Sequence, residues 1–247
     1  MNYLLWPFRV MYKIYYLVVF SLLMIISYPF YVYLLKYKRK FPAAFRIMKL
    51  HAHVLLTMTG VILRVKGAER LPKEGAYIIC ANHSSFLDSF CLYAIISRYF
   101  VFTGKKEIKK WPMFHIFYTS GMNIMVDRHS AAGSFGALKR MAQELSDGHP
   151  LVIFPEGTRP ANAPRLAPFK PGAFALAVQM QVPVVPVSFL TNWKRLGRGG
   201  LFEGMAGPGI SRVLIHPAVQ TTGMKKSDID MLTRKVKEII NGPLTVN

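Results

Sequence analysis

The sequence predicts an α/β domain built on a largely parallel sheet flanked by helices, with a membrane-associated helical hairpin at its N-terminus. Three observations carry that expectation. Beyond Gly60, short apolar runs rich in β-branched residues alternate with helical stretches, the grammar of strands joined by crossover helices. Residues able to do chemistry follow directly on several of those runs, as they do at strand ends in open α/β sheets. Before Gly60, a long uncharged run is followed by an amphipathic one.

The first element is the uncharged run. From Ile14 to Leu35, 22 residues carry no charge, bracketed by Lys13 and by the basic segment Lys36, Lys38, Arg39 and Lys40. At about 1.5 Å per residue the run reaches roughly 33 Å as a helix, enough to cross a hydrocarbon core. Basic residues on both flanks, Pro29 inside the run and the aromatics Tyr15, Tyr16, Tyr28, Tyr31 and Tyr33 fit equally a kinked helix lodged in one leaflet. A cleaved signal peptide fits poorly, because the run is too long and no small-x-small site ends it. The stretch from Ala43 to Met58 reads as a second, amphipathic helix, turned back on the first near Phe41-Pro42. Residues 1–60 are thus an anchoring hairpin and residues 61–247 the α/β domain.

In that domain the predicted strands are Val61–Val65, Tyr77–Ala81, Tyr99–Thr103, Ile124–Val126, Leu151–Phe154, Val184–Phe189 and Val213–Ile215. Helices are predicted over Phe86–Ser97, Ser130–Asp147, Gly172–Gln181 and Lys226–Ile240. The proline-rich stretch from Pro160 to Phe169 and the segment Arg198-Gly199-Gly200 read as surface loops, the first of them near the site.

Charge narrows the class of partner. The chain has 32 basic against 12 acidic residues, a net charge of +20, which calls for an anionic partner. With 52% hydrophobic residues and a mean hydropathy of +0.25, and with no zinc-finger, RRM or homeodomain signature, that partner is an acidic membrane surface or a phosphorylated substrate, not nucleic acid. The two cysteines, Cys80 and Cys91, form no C-x-x-C pattern, so neither a disulfide framework nor a metal site is indicated, and both read as core residues. Oligomeric state is not legible.

Asn82-His83-Ser84-Ser85-Phe86-Leu87-Asp88 follows a predicted strand and places an imidazole five positions before a carboxylate. In one continuous helix five residues rotate about 500°, so His83 and Asp88 meet only if His83 sits in the loop before the helix. Ser84 and Ser85 favour that break as helix-capping residues, and Ser85-Phe86-Leu87-Asp88 fits a capping box. The same residues admit a plainer reading, in which Asp88 caps a helix and His83 is an ordinary loop histidine.

Three further blocks stand downstream in order: Val126-Asp127-Arg128, Phe154-Pro155-Glu156-Gly157-Thr158-Arg159, and Val182-Pro183-Val184-Val185-Pro186-Val187. Together with His83-x4-Asp88 they resemble the four motifs of the glycerolipid acyltransferases, specifically the lysophosphatidic acid acyltransferase (PlsC-type) family, over about residues 60–217. Two departures lie in acceptor loops: the glycine upstream of the Asp-Arg pair appears one position early, as Gly121, and Pro160 stands where serine is common.

The resemblance implies transfer of a fatty acyl group from an acyl-CoA or acyl carrier protein thioester to the free hydroxyl of lysophosphatidate, giving phosphatidate. It implies no metal, no redox cofactor and no acyl-enzyme. The chemistry fits the residue types: an imidazole titrating near neutrality takes the hydroxyl proton, and a carboxylate fixes its tautomer. His83 and Asp88 are therefore the candidate catalytic pair. Arg159, Arg128 and Lys105 are candidate cations for the acceptor phosphate. Glu156 either orders Arg159 or binds acceptor hydroxyls, Thr158 belongs to the same loop, and Gly157 permits a backbone turn that a side chain would block. Pro183 and Pro186 are expected to shape a strand and the wall of an acyl channel, and His115, His149 and His216, which stand alone in the sequence, to be structural or solvated. The expected location is the cytoplasmic face of the inner membrane. A sister activity on another lysolipid, such as a lyso-aminolipid, is the alternative within the family; a basic membrane-binding protein without catalysis is the alternative outside it.

Overall fold

The computed structural model describes residues 5–127 and 130–245. It contains seven strands, β1 (Val61–Lys66), β2 (Ile78–Ala81), β3 (Val101–Lys105), β4 (Ile124–Val126), β5 (Leu151–Ile153), β6 (Val184–Phe189) and β7 (Gly209–Ile215). The helices are α1 (Trp6–Leu34), α2 (Phe41–Met58), α3 (Leu87–Ile95), α4 (Ile116–Thr119), α5 (Ala131–Ser146), α6 (Gly172–Met180), α7 (Asn192–Arg195) and α8 (Ile229–Thr245). The strands form one sheet in the order β1-β7-β6-β2-β5-β3-β4. Every neighbouring pair is parallel except β6 and β7.

Side chains alternate across the pleat, so one strand feeds two cores. On β2, Ile79 and Ala81 join a core with α1, α2 and α3, whereas Ile78 and Cys80 join the core under α5, α6 and α8. Both faces of the sheet are covered, and β2 is buried along its whole length, as the continuous apolar run Ile78-Ile79-Cys80-Ala81 requires. Cys80 and Cys91 are both fully buried core residues; burial pushes the Cys80 thiol pKa up and that of Cys91 to about 12.

The hairpin is a layer of this fold. In α2 the side chains of Ala44, Phe45, Met48, Ala52 and Leu55 are at most 2% exposed and pack in the same core as Ile79 and Val187. The chain reverses over residues 35–40, and Phe41-Pro42 opens α2 instead of forming the turn. Proline is favoured there because the first turn of a helix has no intrahelical use for its N–H groups. Among the described residues, α1 is the one helix long and apolar enough to cross a membrane, and it runs through Pro29. One side of α1 buries Tyr16, Val19, Met24 and Tyr31, while Phe8, Met11, Leu22, Ile25, Ile26 and Phe30 are more than half exposed. So large an apolar face on an otherwise folded chain points to membrane association.

Several boundaries moved. Strand β3 runs from Val101 to Lys105 instead of from Tyr99 to Thr103, β7 begins at Gly209 instead of Val213, α3 begins at Leu87 and ends at Ile95, inside the predicted Phe86–Ser97, and α8 runs from Ile229 to Thr245 instead of from Lys226 to Ile240. The short helices α4 and α7 carry too few residues for a periodic signal.

Candidate active site

β2, β3, β4, β5 and β6 run in one direction, so the residues that follow them gather at a single edge of the sheet. His83 lies in the loop after β2, before α3, and its Nδ1 is 3.0 Å from Asp88 Oδ2. The break in the helix that this meeting requires is therefore present. The His83 ring stacks on Phe154, just past β5, with centroids 4.0 Å apart and planes 18° from parallel. Phe154 thus limits rotation of the imidazole, and the carboxylate fixes which nitrogen it presents.

Asp88 is fully buried and saturated with donors. Its Oδ2 accepts from the backbone N–H of Ser84 at 2.7 Å and of Ser85 at 2.8 Å, besides His83; its Oδ1 accepts from Asn192 Nδ2 at 2.8 Å. Asp88 also bears on the helix start. It sits in the first turn of α3, where a negative charge is favoured, while Ser85 Oγ accepts from the Leu87 N–H at 3.0 Å. One carboxylate thus holds both the helix start and the imidazole.

Glu156 is bonded to two backbone N–H groups. Its Oε1 accepts from the His83 backbone N–H at 2.8 Å and its Oε2 from the Ala167 N–H at 2.7 Å. With the residue 4% exposed, its two oxygens tie the His83 loop to the proline-rich loop, and Arg159 is not among its hydrogen-bond partners. Burial pushes the Glu156 carboxyl up to about 7, against the pull of those two backbone donors; the Asp88 charge adds to the rise. Gly157 has φ +71°, the turn a side chain would oppose, and its N–H donates to Phe154 O at 2.9 Å. Thr158 is exposed.

The Arg159 guanidinium lies over the Phe86 ring, 3.6 Å from its centroid, and Phe86 in turn meets Trp111 at 5.5 Å. Partial burial lowers the Arg159 pKa, while the Asp88 charge supports the cation. Arg159 is thereby held half-buried beside the dyad. Lys105 is exposed at the end of β3, and its neighbour Lys106 pairs with Asp127 at 2.7 Å. Arg128 lies outside the described residues.

Pro186 is a strand residue of β6 paired with Cys80, and Pro183 lies just before β6, where its carbonyl accepts from the Ile78 N–H. The three histidines expected to be structural or solvated each have a contact within the fold: His149 Nδ1 meets Glu144 at 2.8 Å, His216 Nε2 meets Ser188 Oγ at 2.9 Å, and His115 Nδ1 meets Trp111 O at 3.3 Å.

Two asparagines escaped the sequence reading. Asn82 exchanges side-chain hydrogen bonds with the backbone of Phe189, accepting at 2.7 Å and donating at 3.1 Å, and so carries the pairing of β2 and β6 past the strand end to the residue before His83. Asn192, fully buried, donates to Asp88 while its Oδ1 accepts from Ser211 Oγ at 2.5 Å. A polar pair one residue past β6, Thr191-Asn192, at the edge that carries His83, was the available signal.

An oriented imidazole backed by a buried carboxylate, with a guanidinium beside it and both thiols sealed in the core, is an arrangement for general-base transfer to an alcohol. The family described as Acyltransferase matches residues 62–190, over half the chain, which includes His83, Asp88, Glu156 and Arg159. The chain belongs to this acyltransferase family. It is similar to the 1-acyl-sn-glycerol-3-phosphate acyltransferase of Limnanthes alba, 29% identical over 199 residues, covering 78% of this chain and 69% of the relative. It is similar also to the 1-acyl-sn-glycerol-3-phosphate acyltransferase alpha of Mus musculus, 31% identical over 196 residues and covering 78% and 66%. The crystal structure of the 1-acyl-sn-glycerophosphate (LPA) acyltransferase PlsC from Thermotoga maritima matches the fold with a TM-score of 0.80 at 21% identity, over 96% of this chain and 95% of that one.

Proposed function

We propose that this chain is a membrane-bound enzyme that esterifies the free hydroxyl of lysophosphatidate with a fatty acyl group from acyl-CoA or acyl carrier protein, forming phosphatidate. The observation that carries the reading is the 3.0 Å contact between His83 Nδ1 and a fully buried, four-fold hydrogen-bonded Asp88. The names of the relatives from Limnanthes alba and Mus musculus support the substrate.

With Nδ1 committed to Asp88, Nε2 of His83 is the nitrogen that takes the acceptor proton. The acceptor oxygen attacks the thioester carbonyl, the C–S bond breaks, and the imidazolium returns its proton to the departing thiolate. No group on the protein becomes acylated in this scheme. Cys80 and Cys91 are poor candidates for such a group, being fully buried with thiol pKa values pushed upward. Arg159, together with Lys105, supplies positive charge for the acceptor phosphate; the guanidinium offers it a bidentate fork. The anchor lies in the cytoplasmic leaflet, where thioester donors are met and where Lys36, Lys38, Arg39 and Lys40 reach anionic headgroups. A lysolipid still seated in the bilayer then reaches the site without extraction into water, which costs roughly 0.8 kcal/mol per methylene.

The test is the purified full chain with a panel of acceptors, lysophosphatidate beside lyso-ornithine and lyso-glycine lipids, each with acyl-CoA and with acyl carrier protein. Phosphatidate is the expected product, and His83→Ala abolishes it while leaving vesicle binding unchanged. Turnover confined to the lyso-aminolipids overturns the acceptor assignment, and undiminished turnover by the alanine variant overturns the base.

A further inference from the structure

Residues 196–206 form a loop whose two ends do different things. At its root, Gly197 makes a backbone bridge with Ser85, Ser85 Oγ donates to Leu196 O at 2.6 Å, and Arg198 Nη1 donates to the carbonyl of Arg159 at 2.6 Å. The root therefore grips both the dyad loop and the backbone of the acceptor cation. At its tip, the loop meets the start of α1. Lys13, 4% exposed, donates from its ammonium to Gly200 O at 2.8 Å and to Glu203 O; Trp6 donates from its indole N–H to Phe202 O at 3.0 Å and stacks on the Phe202 ring.

These contacts have an energetic logic. A buried ammonium is costly unless its hydrogen bonds are made, so Lys13 holds α1 and the tip in one register. The path of the loop demands glycine: Gly199, Gly200 and Gly204 all have positive φ, and a Cβ on Gly204 would stand 2.1 Å from Arg198 O. Yet the tip leaves Phe202 62% exposed, stacked against Trp6, itself 39% exposed, at the N-terminal end of α1. An exposed phenylalanine stacked on a tryptophan with its N–H satisfied suits the boundary between headgroups and acyl chains.

We propose that the tip of this loop is a second lipid-contact surface, with Phe202 entering the same leaflet as α1, and that the loop ties the seating of the anchor to the position of Arg159. The partner is the interfacial zone of an anionic bilayer. This deepens the acyl-transfer reading, resting on a lysolipid acceptor held in the membrane, and its first test is independent of activity.

A nitroxide placed through Phe202→Cys reads depth by its relative accessibility to oxygen and to a water-soluble nickel chelate, with Ile25→Cys as the reference on α1. Cys80 and Cys91, fully buried, do not compete for the label. On vesicles of phosphatidylglycerol and phosphatidylcholine, both labels are expected to gain oxygen and lose nickel accessibility. A label at 202 that stays water-exposed while that at 25 becomes buried overturns the surface. In the second arm, Phe202→Ser raises the KM for a vesicle-held lysolipid by roughly fivefold or more, with kcat and turnover of a short-chain acceptor in solution unchanged. Equal losses on the two acceptors, or none on the vesicle-held one in the exposed-site variant Phe202→Ser, overturn the coupling.

Discussion

Asn192 Nδ2 donates to Asp88 Oδ1 at 2.8 Å across 104 residues of sequence, and Ser211 Oγ holds the far side of the same amide at 2.5 Å. The carboxylate behind the imidazole is thus oriented from two sides, by its own loop through Oδ2 and by the segment after β6 through Oδ1.

Asn192→Leu removes that donor at nearly constant volume and leaves Asp88 Oδ1 buried without a partner. A hydrogen bond to a charged group contributes about 1.5–3 kcal/mol, so kcat is expected to fall roughly tenfold to a hundredfold, with little change in the KM of either substrate. Asp88→Asn is expected to cost several orders of magnitude by disturbing the tautomer. Steady-state kinetics checks both, and a loss confined to KM in Asn192→Leu would assign Asn192 to substrate binding instead.

The buried Glu156 carboxyl makes stability depend on pH. Its pKa rises from an ordinary 4.5 to about 7 on folding, so between those values the folded chain binds more protons than the unfolded one. Stability conferred by the neutral acid is full below about 4.5 and is lost as pH rises through about 7. Glu156→Gln cannot ionise. The Tm of the native protein, taken relative to that of the glutamine variant, is expected to fall between pH 5 and pH 8; a difference that holds constant or grows across this range contradicts the assignment.

Arg159→Ala removes a guanidinium held over Phe86 beside the dyad. The KM for lysophosphatidate is expected to rise on the order of tenfold or more, as for loss of a charge-assisted contact, with the donor KM little changed. Lysine restores it in part, because it lacks the planar fork and stacks less well on the ring. An equal rise for both substrates would mark Arg159 as structural.

Single cysteines at positions 9 and 38, flanking the apolar part of α1, are expected to react with an impermeant reagent from the same side of sealed vesicles. The fully buried Cys80 and Cys91 stay silent. Labelling from opposite sides refutes the single-leaflet anchor and establishes a span.

The sequence by itself determined the α/β class, the seven strands, the meeting of His83 with Asp88 and the long apolar first helix, because each leaves a local trace. Apolar runs of strand length, a capping pattern after Ala81 and an uncharged run of 22 residues are all read within short windows. Gly157 was legible for the same reason, since a glycine in a turn after a strand answers a backbone need of its own. Tertiary structure alone decided what the neighbouring polar groups do. Glu156 sits three residues from Arg159, yet its carboxylate bonds the His83 N–H 73 residues away; Asn192 finds Asp88 across 104 residues, and Lys13 finds Gly200 across 187. The insertion of β7 between β1 and β6, parallel to the first and antiparallel to the second, was hidden likewise. Such pairings follow from which segments the folded sheet brings together, and a hydrogen bond between distant segments leaves no periodicity in either of them.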